Sequence, residues 1–249
     1  MDRHRTTPVP LTIRPYRPAD RDAVRTICRE TAFRNRGSDI FFPDGELIAD
    51  YWTGYYLRYE ADSCLVAEKG GRVVGYLLGC PDSLRFVRLF KRAVLPVILF
   101  KLLGRFFTLR YRTPQAYRCL RWLLWRSWRE VPRVPMDRFS AHYHANVLRE
   151  ASFQNGFTGL VERFLNELDA RGIYGIYGIV PEPVAGGWFS KLVAKAGEVG
   201  LKPEFLQSFD TSMYRDVMGS DTPMVHRVFA ASVANYREFL HFIRERYHL

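Results

Sequence analysis

Cysteine is scarce in this chain of 249 residues. Cys28, Cys64, Cys80 and Cys119 are the only four, and their spacing forms neither a redox pair nor a metal knuckle. No disulfide framework is expected, and reduced thiols in a cytosolic setting are. Long apolar runs are lacking as well. The longest uncharged one, Ala93 to Phe100, is far short of the roughly 20 residues that cross a bilayer. The opening MDRHRTTPVP has no apolar core, so no secretory leader is expected. Of the six histidines, His4, His226, His241 and His248 show no ligand spacing, and no zinc site is expected.

Acidic side chains are missing from one stretch in particular. Between Ser83 and Glu130 there are 12 Lys or Arg and a single carboxylate, whereas the rest of the chain holds 25 residues of each sign. The whole formal excess of +11 therefore belongs to one segment. With 47% hydrophobic residues the chain has ample material for a core.

The remaining patterns divide into short elements. Leu11–Arg14 reads as a strand, and Asp20 as the N-cap of a helix running to about Phe33. Glu46–Tyr59 reads as a second helix, rich in aromatics. Ser63–Glu68 and Arg72–Gly79 flank Lys69-Gly70-Gly71 as a hairpin. Phe139–Leu148 reads as a fourth strand, Thr158–Ala170 as a helix and Ile173–Val180 as a fifth strand. A helix over Gly186–Val199, an antiparallel pair (Glu204–Arg215 and Met224–Ser232) and a final helix over Asn235–Tyr247 complete the order. This implies one α/β (α+β) domain, a mixed, mostly antiparallel sheet flanked by helices, with a helical insertion at about 83–135.

The segment His142 to Leu165 organises the rest: strand, loop with Gly156 and Gly159, amphipathic helix. Such a loop turns backbone N–H groups inward, and the helix N-terminus behind it carries partial positive charge. His142 and His144, two residues apart in a strand, share one face. A phosphate cradle beside paired titratable groups reads as a transferase with a nucleotide-linked donor.

Several stretches in this order resemble the GCN5-related N-acetyltransferase (GNAT) superfamily. LTIRPYRPADRDAVRTIC is similar to its first strand and helix, and CLVAEKGGRVVGYLLG to its second and third strands. SAHYHANVL resembles the fourth strand of the arylalkylamine N-acetyltransferases, with the same H-x-H spacing. It also resembles the acetyltransferase-like domains that accompany some O-GlcNAc hydrolases. The likeness covers residues 11–82 and 136–232. It implies acetyl-CoA or another acyl-CoA as co-substrate and an amine of a small molecule or protein as acceptor.

Two departures stand out. The family loop follows R/Q-x-x-G-x-G/A, and no register here satisfies it. Placing Gly156 at the first glycine leaves Phe153 for Arg/Gln and Thr158 for the last position. Two other registers begin at Ser152 and Gln154. The first register is favoured, because Gly156 there gives its backbone access to a phosphate and Thr158 has a hydroxyl to donate. The family tyrosine of the helix after strand five is also missing, with Ala196 near its place.

From the resemblance, His144 or His142 is the expected base, since imidazole titrates closest to neutrality. The alternative is that one or both are core histidines bonded to neighbouring strands. A bulge at Ala145-Asn146-Val147 would open a slot where the N–H groups of Val147 and Leu148 meet the pantetheine arm. Phe153, Gln154, Asn155, Gly156, Phe157, Thr158 and Gly159 would hold the diphosphate. Gly175 and Gly178 either permit the strands to splay or suit close helix packing. Glu30, Glu46, Asp50 and Asp62 lie in segments that line the acceptor side of such folds.

The insert holds ten aromatics, with Trp122, Trp125 and Trp128 at helical spacing. Phe86, Leu89, Phe90, Val94 and Leu95 form an apolar face beside Arg85, Arg88, Lys91 and Arg92. It reads as a lid on the acceptor cleft, aromatics inside and basic residues in water. A second reading is a contact with an anionic membrane surface through residues 83–130, on a cytoplasmic chain peripheral to the membrane. Nucleic acid ranks third, since no base-reading motif accompanies the arginines.

Overall fold

The hairpin is the simplest element to derive. In the computed structural model, which describes residues 9–108, 111–152 and 155–247, β2 (Cys64–Lys69) and β3 (Arg72–Cys80) are joined by Gly70 and Gly71 alone. Both glycines have positive φ, 59° and 76°, the twist that a two-residue loop needs to match its strands. β1 (Leu11–Pro15) pairs antiparallel with β2, Leu11 opposite Lys69 and Pro15 opposite Leu65. β4 (His142–Val147) pairs antiparallel with β3 from Gly75↔Val147 to Cys80↔His142. These four make one sheet in the order β1-β2-β3-β4.

Two helices cover one face. α1 (Arg21–Asn35) follows Asp20, and α2 (Gly45–Tyr59) follows Asp44, whose carboxylate caps it by accepting from the Leu47 N–H at 3.1 Å. Asp20 does not cap α1 in that way. Its carboxylate is taken by the Arg14 guanidinium (2.7 and 2.8 Å) and the Arg17 N–H (2.8 Å). Helical geometry fails at Ala32, Phe33 and Arg34, where φ turns positive at Phe33 and Arg34, so regular helix stops just short of the expected Phe33.

The insert follows β3 as a near-continuous rod: α3 (Ser83–Leu89), a π-type turn over Phe90–Val94, and α4 (Leu95–Phe107). α5 (Pro114–Trp125) comes next, capped by the Thr113 hydroxyl. Because α5 ends at Trp125, Trp128 lies beyond it and the three tryptophans share no helical stripe.

After β4 come the short α6 (Arg149–Ser152), α7 (Gly156–Ala170), β5 (Gly175–Pro183) and α8 (Trp188–Glu198). Then come β6 (Phe205–Thr211), α9 (Met213–Asp216), β7 (Met224–Ser232) and α10 (Val233–Tyr247). β5, β7 and β6 form a second antiparallel sheet in that order. The two sheets meet at one parallel bridge, Ala141 with Ile176.

Alternation along the strands sorts the core. Leu65, Ala67 and Leu77, with Tyr143, Ala145 and Val147 beside them, pack with Leu160, Phe164 and Leu168 of α7 and Leu240 of α10. Cys64, Val66, Tyr76 and Leu78 point the other way, to Val24 and Ile27 of α1 and Tyr55 and Tyr56 of α2. A third cluster joins α2 to the insert through Phe42, Leu47, Ile48, Ile98, Tyr111 and Cys119. The four cysteines are all buried and unbridged.

Gly79 of β3 is where sheet and α7 meet most tightly. A Cβ there would sit 2.5 Å from the Ser63 carbonyl oxygen and overlap the Phe164 ring. Gly79→Ala should therefore destabilise by about 1–3 kcal/mol through overpacking. Thermal unfolding of the variant checks this, and an unchanged melting temperature would contradict the packing.

Candidate active site

The site follows from how β4 spends its backbone groups. The Leu148 N–H donates to the Val74 carbonyl (2.8 Å) on the β3 side. Ala141 faces the other way: its N–H donates to the Gly175 carbonyl (3.1 Å) and its carbonyl accepts from the Tyr177 N–H (2.9 Å). Strand groups alternate with a period of two, so the N–H and C=O groups of Tyr143, Ala145 and Val147 are turned away from β3. Past Ala141, β4 has no further pairing with β5, and these groups face the gap between two parting strands.

This gap arises without the expected bulge. The β3–β4 register runs unbroken through Ala145, Asn146 and Val147, and the register shift in this sheet lies between β2 and β3 at Ala67/Glu68. The Val147 N–H is therefore turned toward the gap, whereas the Leu148 N–H is given to β3. Gly175 and Gly178 suit neither a splay nor a helix. A Cβ on Gly175 would press on the Phe139 ring, 2.5 Å from Cδ1, and one on Gly178 would overlap the Phe229 ring.

The two histidines share a face, as the spacing implies, and that face looks toward α1, α2 and the start of the insert. There they separate into different roles. His142 is 8% exposed. Its Nε2 lies 3.0 Å from the Tyr56 hydroxyl, and its Nδ1 lies 2.6 Å from Ser83 Oγ and 3.2 Å from the Tyr177 hydroxyl. Ser83 donates its own proton to the Ser140 carbonyl (2.6 Å). That leaves Ser83 Oγ as acceptor and assigns the proton of His142 to Nδ1. Burial, and secondarily His144, push the His142 pKa down to about 3. Both nitrogens are engaged, so His142 is a neutral structural tie.

His144 is partly exposed. Its ring sits edge-on between Trp52 (6.4 Å) and Tyr76 (5.7 Å). The Asn146 amide nitrogen, which also donates to the Tyr76 hydroxyl (2.7 Å), lies 3.1 Å from His144 Nε2. An amide N–H only donates, so Nε2 bears the lone pair. Burial lowers the His144 pKa to about 4, opposed in part by the Trp52 backbone carbonyl. Asn146 continues the two-residue spacing of the histidines, a signal present in the sequence; Tyr76 and Trp52 carried none.

At the head of α7, Asn155 is left-handed (φ 59°) and its side-chain Oδ1 is buried with no hydrogen-bond partner among the described residues. Gly156 is a glycine because a Cβ there would lie 2.7 Å from the Ala151 carbonyl oxygen. Its missing side chain is thus used within the protein. Thr158 donates its hydroxyl to the Asn155 carbonyl (3.2 Å), and the Gly159 N–H bonds the same carbonyl (2.8 Å), so neither group is turned outward. The first-turn N–H groups of Gly156, Phe157 and Thr158 have no acceptor inside the helix. Phe157 is 38% exposed, its ring 6.4 Å from Tyr143. Phe153 and Gln154 lie outside the described residues. On the opposite face of β4, Tyr143 pairs its hydroxyl with Tyr236 of α10 (2.6 Å), while Ala196 of α8 is fully buried.

Two of the four carboxylates expected on the acceptor side, Glu46 and Asp50, are neutralised. Arg25 is buried between Glu46 and Asp50, 2.5 Å from each, and Lys101 of α4 takes the other Asp50 oxygen at 2.7 Å. Burial would raise the Asp50 pKa, but Lys101 and Arg25 outweigh it and hold it low. Glu30 and Asp62 are exposed.

His142 generates a pH dependence. A histidine of the unfolded chain titrates near 6.5, the folded one near 3, so between those values the unfolded state binds more protons. Stability present above about pH 6.5 is lost as pH falls, by up to about 1.4 kcal/mol per pH unit. Urea midpoints measured from pH 7 to pH 4 should fall more steeply for the native chain than for His142→Gln; equal slopes would refute the assignment.

No family model matches the chain. Among curated proteins, a stretch of 85 residues is 36% identical to protein O-GlcNAcase of Rattus norvegicus, which is 34% of this chain and 9% of that protein. Among solved structures, SsHAT superposes with a TM-score of 0.57 at 23% identity, over 90% of this chain and 98% of its own. The acetyltransferase yncA of Salmonella typhimurium, solved with acetyl-CoA as its cofactor, aligns at 10% identity over 90% and 94% with a TM-score of 0.46. An acetyltransferase of the GNAT family from Desulfovibrio desulfuricans aligns at 12% over 90% and 99%, also at 0.46. With its four-stranded antiparallel sheet, its parting fourth and fifth strands and its strand–loop–helix centre, this chain has the GNAT fold.

Proposed function

We propose that the protein transfers an acyl group from an acyl-CoA, acetyl-CoA foremost, to an amine of a small molecule or protein. The observation that carries this reading is the gap past Ala141, with outward backbone groups of Tyr143, Ala145 and Val147 along one wall. That edge suits the amide-bearing pantetheine arm, and the first-turn N–H groups of α7 suit a diphosphate. The bound acyl-CoA would supply the activated thioester. The protein's share is to hold it, orient the amine and accept a proton.

His144 is the group for that last task. Its Nε2, which accepts from the Asn146 amide, lies on the α1/α2 side of β4 in an apolar setting made by Trp52 and Tyr76, and the amine would take the place of that amide to reach the lone pair. With a pKa near 4 it is neutral at physiological pH and weakly basic. An amine proton becomes far more acidic as nitrogen bonds to carbon, so a weak base in position is sufficient. Asn146 positions the ring. His142, more deeply buried and enclosed by Tyr56, Ser83 and Tyr177, anchors the strand instead. A cytosolic location, with no metal required, accords with this chemistry.

A second reading is a GNAT-fold ligand-binding module without turnover. The internal use of Gly156, Thr158 and Gly159 favours it.

Calorimetric titration with acetyl-CoA separates these readings from failure of both. Binding to the native chain, lost in Gly156→Trp, supports either; no binding at millimolar ligand removes both. For transfer, His144→Gln should lower kcat by about 100-fold or more while leaving acetyl-CoA affinity unchanged. The acid limb of kcat should fall near pH 4 rather than near 6.5. An unaffected kcat in His144→Gln would exclude the base role.

A further inference from the structure

The insert has two faces, and only one of them is used. On α4, Ile98 is buried and Leu102 packs against the third core cluster. Arg105 and Tyr111 grip Asp44 at 2.5 and 2.6 Å, and Lys101 grips Asp50. These contacts fasten the rod to α2 as a lid would be fastened. The opposite side of the same helix is apolar and bare. Leu99 is 52% exposed, Phe100 80%, Leu103 55% and Phe107 72%. At 3.6 residues per turn, these four lie within about 100° of arc. The expectation that the insert's aromatics are buried therefore holds for one face only.

The charge of the segment that carries this stripe is almost all of one sign. The sole carboxylate between Ser83 and Glu130 is Glu130 itself. It is turned inward, accepting from the Ser212 N–H (2.9 Å), the Ser212 hydroxyl (2.5 Å) and Trp122 Nε1 (3.1 Å). Arg88, Lys91, Arg92, Arg118 and Arg121 are exposed and, among the described residues, carry no ion pair. Among the described residues no helix is long and apolar enough to cross a membrane.

We propose that α4 is a membrane-surface element, seating Leu99, Phe100, Leu103 and Phe107 among the acyl chains of an anionic phospholipid layer. The basic residues of α3, the π-type turn and α5 would meet the headgroups. An exposed apolar stripe, in a segment whose exposed cations carry no ion pair among the described residues and whose one carboxylate is engaged, is complementary to a negatively charged, apolar-cored surface. A protein groove would not call for that uniform charge. The Lys101 and Arg105 pairs hold the helix rigid, with its stripe outward. This inference is independent of acyl transfer.

The test is flotation of the full chain with vesicles of phosphatidylcholine alone, or with about 30% phosphatidylserine. Binding should favour the anionic vesicles by about tenfold or more and weaken as salt is raised. Phe100→Asp with Phe107→Asp, both at exposed positions, should abolish flotation without lowering the melting temperature. Lys91→Glu with Arg92→Glu should reduce it by about tenfold. Leu206→Asp, exposed on β6, should change nothing. Absence of flotation, equal binding to both vesicles, or full binding by the double Asp variant would overturn the proposal. So would a native dimer on gel filtration that the double Asp variant dissolves, since the stripe would then belong to a second copy.

Discussion

The start of β4 and β5 run together for a single residue, and the gap between the two strands depends on that brevity. Ala141 exchanges two hydrogen bonds with β5, after which each strand keeps only the partner on its far side. The groups of β4 that would have continued the ladder are left facing a gap. His142 holds the root of the split closed. It bridges β4 to Tyr177 of β5, to Tyr56 of α2 and to Ser83 of the insert. Three separate elements thus converge on one neutral imidazole, and its low pKa is the electrostatic signature of that burial.

The same arrangement divides the labour between two residues that sequence spacing treats alike. His142 lies at the bridge, where it is enclosed and doubly bonded. His144 lies two residues along, with one nitrogen accepting from Asn146 and its ring between Trp52 and Tyr76. Distance from the bridge, not residue type, decides how deeply each ring is enclosed. The loop at the head of α7 shows a similar economy. Its glycine, its threonine hydroxyl and its second glycine all serve the turn itself, so any hold on a diphosphate rests on helix-terminal N–H groups.

The insert completes the site and then extends beyond it. Its first turn carries Ser83, which ties His142, and Phe86, whose ring stands 4.9 Å from that histidine. Further along, salt bridges to Asp44 and Asp50 press α4 onto α2. Asp44 and Asp50 are thereby spent on structure.

Local pattern alone determined much. Alternation, turn chemistry and helical spacing located the strands, the Gly70-Gly71 hairpin and the main helices, because these depend on residues close in sequence. The shared face of His142 and His144 and the confinement of charge to one segment were equally legible, being matters of period and count. Tertiary structure alone decided the rest. Whether β4 bulges or merely loses its neighbour depends on where β5 goes, which the residues of β4 do not encode. That Gly156 faces Ala151, that Gly178 lies beneath Phe229 and that Glu130 is turned inward reflect contacts between distant segments. Which side of α4 remains bare was likewise set by what α2 covered, a choice made in packing and invisible to the helix's own periodicity.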